Sequence, residues 1–278
     1  MSIFFNYNGK IYPEHTPVIS PDNRSLRYGD GLFETMKVVN GKIILKELHF
    51  ERLFSGMALL QFQAPPNFTQ DFLEDQVLQL CKKNGHFETA RIRLMIFRGN
   101  GGLYDAENTD PNYIIQGWSI DNDKLLNSNG LVIDIYNDAR KSCDKFSNIK
   151  TNNFLPYVMA ALYAKENKLN DCILLNTNER ICDSTLANIF FIKDDVIYTP
   201  PLNEGCIAGV VRRWMIQNLQ PSFAVIEKPF FAEELLRADE IFLTNSIFDM
   251  KWVKHFGNTS FTFDKIKDIY KYVVHNIY

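Results

Sequence analysis

One lysine stands among asparagines just before an apolar stretch in NIKTNNFLPYVMAA, residues 148–161. A lysine whose pKa is lowered by burial and neighbouring charges is a nucleophile and forms Schiff bases with carbonyl compounds. At the entrance of a helix, however, a lysine is more often a solvated surface charge. Taken alone, Lys150 therefore has both a catalytic and a surface interpretation.

Asp183, in RICDSTLANIFFI, is a second candidate. A carboxylate between two strands could hold the protonated pyridine nitrogen of pyridoxal 5′-phosphate (PLP), whose ring accepts electrons from an attached substrate. Asp-Ser-Thr is also an ordinary turn sequence. Asp183 is thus either a cofactor ligand or a loop residue.

Several short segments could bind an anion. In CIAGVVRRWMI, Gly209 opens a helix, and the first backbone N–H groups of a helix bind phosphate. Arg52 in HFERL is either a phosphate ligand or a solvated charge, while Thr244 and Ser246 in TNSIFDM offer hydroxyl groups. The segment RYGDGLFET matches neither a dinucleotide fingerprint nor a P-loop. The histidines form no tight ligand pair, so no metal site is predicted.

The elements that position these residues follow from turn signals and apolar periodicity. Asn8-Gly9 and Asn40-Gly41 each separate two β-rich runs and predict two hairpins. Helices are predicted at 48–62 and 68–84, followed by strands at 89–99 and 112–120. After residue 131 the predicted strands are too dense for a regular βαβ series.

These patterns predict an α+β fold. A small N-terminal α/β domain spans residues 1–120, and the polar, turn-rich stretch 121–130 is the predicted interdomain linker. The larger C-terminal domain, 131–278, is predicted to be a mixed β-barrel-like sheet with peripheral helices.

Composition and cysteine spacing limit the partners and the cellular compartment expected for this protein. The net charge of −3 gives no reason to propose a nucleic acid as partner. The five cysteines form no CxxC pair, so free thiols and a reducing cytoplasm are expected. The N-terminal residues do not have the pattern of a signal peptide, and no apolar run is long enough to span a membrane. The sequence therefore predicts no membrane association.

Four segments, in order along the chain, resemble the fold-type IV PLP enzymes, which include branched-chain aminotransferases, D-amino acid aminotransferases and 4-amino-4-deoxychorismate lyases. The resemblance runs from about Phe4 to about Val253. It is carried by RYGDGLFETMKVVNGKI with LHFERL, KTNNFLPYVMAA, ERICDSTLANIFFIKDDVIYTPPLNEGCIAGVVRR and ADEIFLTNS.

This resemblance implies PLP as the cofactor and Lys150 as the residue that forms the Schiff base and moves the substrate proton. It implies that Asp183 pairs with the pyridine nitrogen, where the family usually has glutamate. The residues implied to bind the cofactor phosphate are Arg52, Gly209, Val210, Val211 and Ser246. The family also implies a homodimer whose second subunit completes the active site.

Within the family, YGDGLFET with FRGNGGLYD most resembles the deoxychorismate lyases. After Arg98-Gly99 the chain lacks the Arg-x-His segment with which D-amino acid aminotransferases hold the substrate carboxylate. Four residues either line the substrate side or support the fold: Tyr28, Lys37, Arg98 and Tyr104.

The function predicted first is an aminodeoxychorismate lyase of folate synthesis, which releases 4-aminobenzoate and pyruvate. The alternative is a branched-chain or D-amino acid aminotransferase that uses 2-oxoglutarate. A third hypothesis is a non-catalytic binding module, for which the aspartate at position 183 is the only support.

Overall fold

A computed structural model of the chain describes residues 4–121 and 126–278. The chain forms two compact units: the first comprises Met1–Asp123 with Ile149–Asn153, and the second comprises Lys124–Asn148 with Phe154–Tyr278. The predicted linker 121–130 includes residues 122–125, which lie outside the described residues, so the proposed domain boundaries stay predictions.

Within residues 4–121, six strands form an antiparallel sheet in the order β2-β1-β6-β5-β3-β4. The strands are β1 (Phe4–Tyr7), β2 (Lys10–Pro13), β3 (Gly31–Val39), β4 (Lys42–Ile43), β5 (Thr89–Arg98) and β6 (Pro111–Ser119). Both predicted hairpins are confirmed, since β1 pairs with β2 and β3 pairs with β4 across the two Asn-Gly turns.

Two helices cover one face of this sheet, and a short helix precedes β3. The helices are α1 (Arg24–Tyr28), α2 (Lys46–Leu59) and α3 (Gln70–Lys83). The apolar stripes of α2 and α3 pack on alternate residues of β3 and β5 in one buried core, which includes Met36, Leu53, Val77, Ile92 and Leu94. The second helix ends earlier than predicted because Gln61 adopts a left-handed φ of 60°.

The segment that carries Lys150 is attached to β3. Phe33 N–H donates to the Lys150 carbonyl at 2.8 Å, and Asn152 N–H donates to the Gly31 carbonyl at 2.9 Å. A Cβ at Gly31 would lie 2.4 Å from the Ile96 carbonyl oxygen, so only glycine fits at this crossing. Lys150 thus belongs to the first compact unit, although it follows the predicted linker in sequence.

Within residues 126–278, nine strands form a mixed sheet in the order β12-β11-β10-β13-β14-β7-β8-β9, with β15 on β14. The strands are β7 (Leu131–Lys141), β8 (Asp171–Asn176), β9 (Ile181–Ser184), β10 (Asn188–Lys193), β11 (Val196–Thr199), β12 (Ala224–Glu227), β13 (Glu240–Asn245), β14 (Asp249–Phe256) and β15 (Thr259–Ser260). Parallel pairs join β7 to β8, β7 to β14 and β11 to β12, and the remaining pairs are antiparallel.

The helices of this second unit are α4 (Leu155–Glu166), α5 (Val210–Asn218), α6 (Ala232–Leu236) and α7 (Asp264–Ile277). One of its buried cores is formed by residues of β7, β8, β10 and β13 and includes Ile133, Ile173, Ile189 and Leu243. A mixed sheet with a few helices confirms the predicted α+β class.

Candidate active site

A buried carboxylate organises Arg52 in the first unit. Glu34 projects from β3, and its two oxygens accept from Arg52 Nε at 2.7 Å and from Arg52 Nη2 at 2.5 Å. His49, one turn before Arg52 on α2, places Nδ1 2.7 Å from Glu34 Oε2. Arg52 is therefore held in a fixed direction by a bidentate ion pair and is not a solvated charge.

The charges of Glu34, His49 and Arg52 determine one another's protonation. Burial opposes the charged form of Glu34, but Arg52 and His49 outweigh burial and lower the pKa of Glu34 to about 2. Burial lowers the pKa of His49; Glu34 opposes this change, whereas the charges of Arg52 and Lys150 reinforce it. Lys150 therefore acts electrostatically on the cluster that orients Arg52.

We expect Glu34→Gln to lower the free energy of unfolding by about 3 kcal/mol at pH 7, because it leaves the Arg52 cation, whose side chain is only 14% exposed, without its carboxylate. The native-state pKa of Glu34 lies below its ordinary value, so the ion pair stabilises the fold above about pH 5. That contribution is lost as the pH falls toward about 2. Urea unfolding at pH 7 and pH 3 measures both effects.

The matched control is Glu47→Gln, which changes an exposed carboxylate on α2, the helix that carries Arg52. It should leave both the stability and its pH dependence close to wild type. A Glu34→Gln protein whose unfolding free energy falls with acid as steeply as that of the wild type would contradict the role given to Glu34.

The side chain of Lys150 lies over Phe33, on the face of β3 opposite the helices. Lys150 Nζ is 4.6 Å from the centroid of the Phe33 ring, and the Arg93 guanidinium carbon is 3.6 Å from the same centroid. Lys37 projects from that face of β3, since residues two apart on a strand share a face, and its neighbour across the ladder is Arg91. The sequence analysis identified Lys37 as a candidate substrate residue but missed Arg93. Arg93 pairs with Thr35 on the neighbouring strand, so the alternation of strand β5 would have indicated that it shares a face with Lys37.

Burial, together with the nearby Arg91, lowers the pKa of Arg93. Both causes, burial and a neighbouring like charge, disfavour the charged form of Arg93, and a bound carboxylate would offset them. The sheet face beside Lys150 therefore suits an anionic substrate.

The other predicted substrate residues have mixed surroundings. Tyr28 contacts Tyr104 with ring centroids 5.6 Å apart and ring planes tilted by 44°, and Tyr104 is 89% exposed. Arg98 is buried and is occupied by contacts within the unit: its Nε donates to Asp30 at 3.1 Å, and its Nη2 donates to the Leu60 carbonyl. Through these contacts Arg98 stabilises the fold, and its role in substrate binding stays a prediction.

In the second unit, Asp183 lies on β9 and is 2% exposed. Its Oδ2 accepts from Ile207 N–H at 2.9 Å and from Lys141 Nζ at 3.4 Å. The Tyr157 hydroxyl donates to the same carboxylate at 3.2 Å. Asp183 is therefore a fixed, buried anion of the sheet and not a loop residue.

A continuous set of contacts leads from Asp183 to the start of α5. Ile207 bonds Asp183 through its N–H, and its carbonyl accepts from Asn188 Nδ2 at 2.8 Å. A Cβ on Gly209 would lie 1.8 Å from Asn188 Oδ1, so only glycine fits before the helix. Gly209 has no side chain to cap α5, which leaves the first-turn N–H groups of Val210 and Val211 as donors for an anion.

Strand β13 adds hydroxyl groups to this region. Thr244 is the ladder partner of Asn188, so the two side chains share a face of the sheet. Thr244 Oγ1 is buried and has no hydrogen-bond partner among the described residues. Ser246 follows in the turn after β13, half-buried. The second unit thus collects the predicted residues Asp183, Gly209, Val210 and Val211, while Arg52 and Lys150 lie in the first.

No cluster of His, Cys, Asp and Glu side chains that could hold a metal ion occurs in residues 4–121 and 126–278. Over the same residues, every helix is too short or too polar to cross a bilayer.

Known proteins resemble this chain over most of its length. The family described as amino-transferase class IV matches residues 31–256. The aminodeoxychorismate lyase of Vibrio harveyi is 29% identical over 237 residues, covering 84% of each chain. The D-alanine aminotransferase of Staphylococcus haemolyticus is 26% identical over 246 residues, covering 86% of this chain and 84% of the relative. A branched-chain aminotransferase of Thermoproteus uzoniensis shares the fold, with a TM-score of 0.90 at 21% identity over 100% of this chain and 95% of that one.

Enzymes of this family use PLP. The residues described above fit that cofactor, because Asp183 offers a buried carboxylate for a ring nitrogen and the glycine-led start of α5 offers backbone donors for a phosphate. The unpartnered Thr244 hydroxyl would add a further donor. The chain belongs to the class IV aminotransferase family and is a PLP-dependent enzyme.

Proposed function

We propose that this enzyme is an aminodeoxychorismate lyase, which splits 4-amino-4-deoxychorismate into 4-aminobenzoate and pyruvate. The observation that carries the proposal is the cationic sheet face beside Lys150, where Lys150 and Arg93 both lie over the Phe33 ring and Lys37 lies farther along the same face of β3. The substrate has two carboxylates, which two cations on one face can bind. Similarity to named lyases over most of the chain supports the same choice.

In this proposal Lys150 would hold the cofactor, and its side-chain amine would remove the proton from the carbon that bears the substrate nitrogen. Bound PLP supplies an electron sink. The carbon–oxygen bond to the pyruvyl group breaks with its electron pair, and the departing enolpyruvate takes up a proton to become pyruvate. The six-membered ring becomes aromatic, so neither an oxidant nor water is consumed.

The remaining residues bind and orient. Arg52, fixed by Glu34, would hold the cofactor phosphate together with Ser246 and the N–H groups of Val210 and Val211. Asp183 would receive the ring nitrogen. Lys37 and Arg93 would hold the two substrate carboxylates and thereby direct the amine-bearing carbon toward Lys150.

The test is to supply 4-amino-4-deoxychorismate to the purified, PLP-loaded enzyme without any keto acid. We expect equal amounts of pyruvate, measured with lactate dehydrogenase, and of 4-aminobenzoate, measured by fluorescence. Arg93→Met should raise KM at least about 10-fold, because it removes one charge-assisted contact to the substrate. Turnover that requires 2-oxoglutarate and forms glutamate would contradict the lyase assignment.

The second candidate is an aminotransferase. It is favoured by the similarity to D-alanine aminotransferases and by the branched-chain aminotransferase fold. Glutamate formation from 2-oxoglutarate, with D-alanine or leucine as the amino donor, would identify it. Membership of an enzyme family leaves the non-catalytic hypothesis without support.

The proposal also includes a place in folate synthesis, a homodimeric state and a cytoplasmic location. The cysteines are free, and four of the five are buried, which agrees with a reducing compartment. Sedimentation velocity of the purified protein measures its oligomeric state.

A further inference from the structure

Helix α7 is attached at one end to strand β13 and at the other end to the residue after the next hairpin turn. At its start, the backbone N–H groups of Lys265 and Ile266 donate to the carboxylate of Glu240, the first residue of β13, at 2.9 and 2.8 Å. At its end, the Tyr278 hydroxyl lies 2.9 and 3.0 Å from the two carboxylate oxygens of Asp249. Asp249 begins β14, directly after the turn that follows β13. The helix therefore bridges the start of β13 and this turn.

The lengths of the helix and the strand agree. From Ile266 to Tyr278 an α-helix rises about 18 Å. From Glu240 to Asn245, the last residue of β13, a strand extends about 17 Å. The buried side of α7 consists of Ile266, Ile269, Tyr270 and Val273. Because it is attached at both ends, α7 holds the turn at a fixed distance from the start of β13.

Asp249 is a costly residue for the position that it occupies. Its φ of 60° lies in the left-handed region, which is strained in residues other than glycine. The residue is also only 5% exposed, and a buried carboxylate destabilises the fold unless it accepts hydrogen bonds. Burial and the nearby Asp249 raise the pKa of Tyr278, so the tyrosine hydroxyl keeps its proton and donates to the carboxylate. This contact offsets part of the cost of burying Asp249.

The same turn carries hydroxyl groups that are available to a ligand. Thr244 is 1% exposed, and its Oγ1 has no hydrogen-bond partner among the described residues. Ser246 is the first residue after β13. The Asn245 side chain fixes the middle of the turn by accepting from two backbone N–H groups at 2.9 and 3.0 Å. The contact between Tyr278 and Asp249 fixes its far end.

We propose that Tyr278 is a positioning residue for the cofactor phosphate: through Asp249 it fixes the turn whose hydroxyl groups, those of Thr244 and Ser246, bind that phosphate. This inference rests on the proposed phosphate role of the two hydroxyls. A phosphate carries close to two negative charges at neutral pH, so hydrogen bonds to it are strong and depend on the direction of each donor. A turn that moves would lose this direction, whereas the residues that hold the cofactor ring would keep theirs.

The test compares the binding of PLP with that of pyridoxal, which lacks the phosphate, to the full-length apo-protein. Titration followed by tryptophan fluorescence gives a dissociation constant for each, and their ratio measures the preference for the phosphate. We expect Tyr278→Phe to lower this preference about 10-fold by weakening PLP binding, with pyridoxal binding within about twofold of the wild type. The matched control is Tyr272→Phe, which removes from the same helix a hydroxyl that donates to the Asn218 carbonyl. It should keep the preference of the wild type.

A second variant tests whether Tyr278 acts through Asp249. Asp249→Gly removes the carboxylate at a φ that glycine adopts readily. It should lower the preference as Tyr278→Phe does, and the double variant should lower it no further. An unchanged preference in Tyr278→Phe would overturn the proposal. So would equal weakening of PLP and pyridoxal, which indicates a general loss of structure, or losses that add in the double variant.

Thr244→Val separates the possible failures. If it lowers the preference and Tyr278→Phe does not, the turn binds the phosphate without help from Tyr278. If neither variant changes the preference, the turn is not the phosphate site and both assignments are wrong. Neither result bears on the lyase assignment, which depends on whether turnover requires a keto acid.

Discussion

Lys150→Ala is expected to abolish the visible absorption of the bound cofactor and to lower kcat by roughly 10³-fold or more. The proposed reaction uses this amine twice, first to hold the cofactor and then to remove the substrate proton, and alanine can do neither. The fold should survive, because the segment is attached to β3 by the backbone bonds between Phe33 and Lys150 and between Asn152 and Gly31. Absorption spectra and steady-state rates of the reconstituted variant measure both losses.

The matched control is Lys145→Ala, which removes an exposed lysine shortly before the same segment. It should keep the spectrum and the rate of the wild type. A Lys150→Ala enzyme that retains wild-type turnover would contradict the assignment of the nucleophile.

Asp183→Asn is expected to have the second large effect. It leaves the buried Lys141 without its counter-charge, so the free energy of unfolding of the apo-protein should fall by about 3–5 kcal/mol. It should also lower kcat/KM by at least about 10²-fold, because the amide cannot hold the cofactor ring as a carboxylate does. Denaturant unfolding of the apo-protein separates the first effect from the second.

The double variant Lys141→Met/Asp183→Asn provides the control for the electrostatic argument. Removing both charges should restore most of the lost stability and little of the lost activity, because an apolar group costs less to bury than an unpaired ion. Equal stability losses in the single and double variants would show that the destabilisation does not come from the unpaired buried charge of Lys141.

Local patterns predicted the elements whose causes are local. The hairpins follow from Asn-Gly turns, and α2 and α3 follow from apolar residues at helical spacing, so both were found in the sequence. Helix α7 was not predicted, although Ile266, Ile269 and Val273 have helical spacing; only its cap is non-local, since Glu240 of β13 accepts from two first-turn N–H groups. Strand β9 was missed because its polar residues have the composition of a turn. In the structure the Ser184 hydroxyl donates to Asp171 at 2.8 Å, a contact with a different strand that the local sequence does not show.

The same distinction applies to the candidate site. Lys150, Arg52, Asp183 and Gly209 stand in motifs that can be read along the chain. Their supporting residues cannot be read in that way, because each belongs to a different element that only folding brings near. Glu34 looks like any polar residue of an alternating strand, and Asn188 is the first residue of a hydrophobic strand. The direction in which the Lys141 side chain points depends on the irregular pairing of β7 with β8.

The central claim, that Lys150 carries the cofactor, is tested most directly by borohydride reduction of the PLP-loaded enzyme and mass spectrometry of its peptides. Two other lysines among the described residues, Lys37 and Lys141, are buried, whereas Lys150 is half-buried, so the position of the label is informative. We predict a reduced phosphopyridoxyl group on Lys150 alone. A label on Lys141 or on any other lysine, with Lys150 unmodified, would contradict the account.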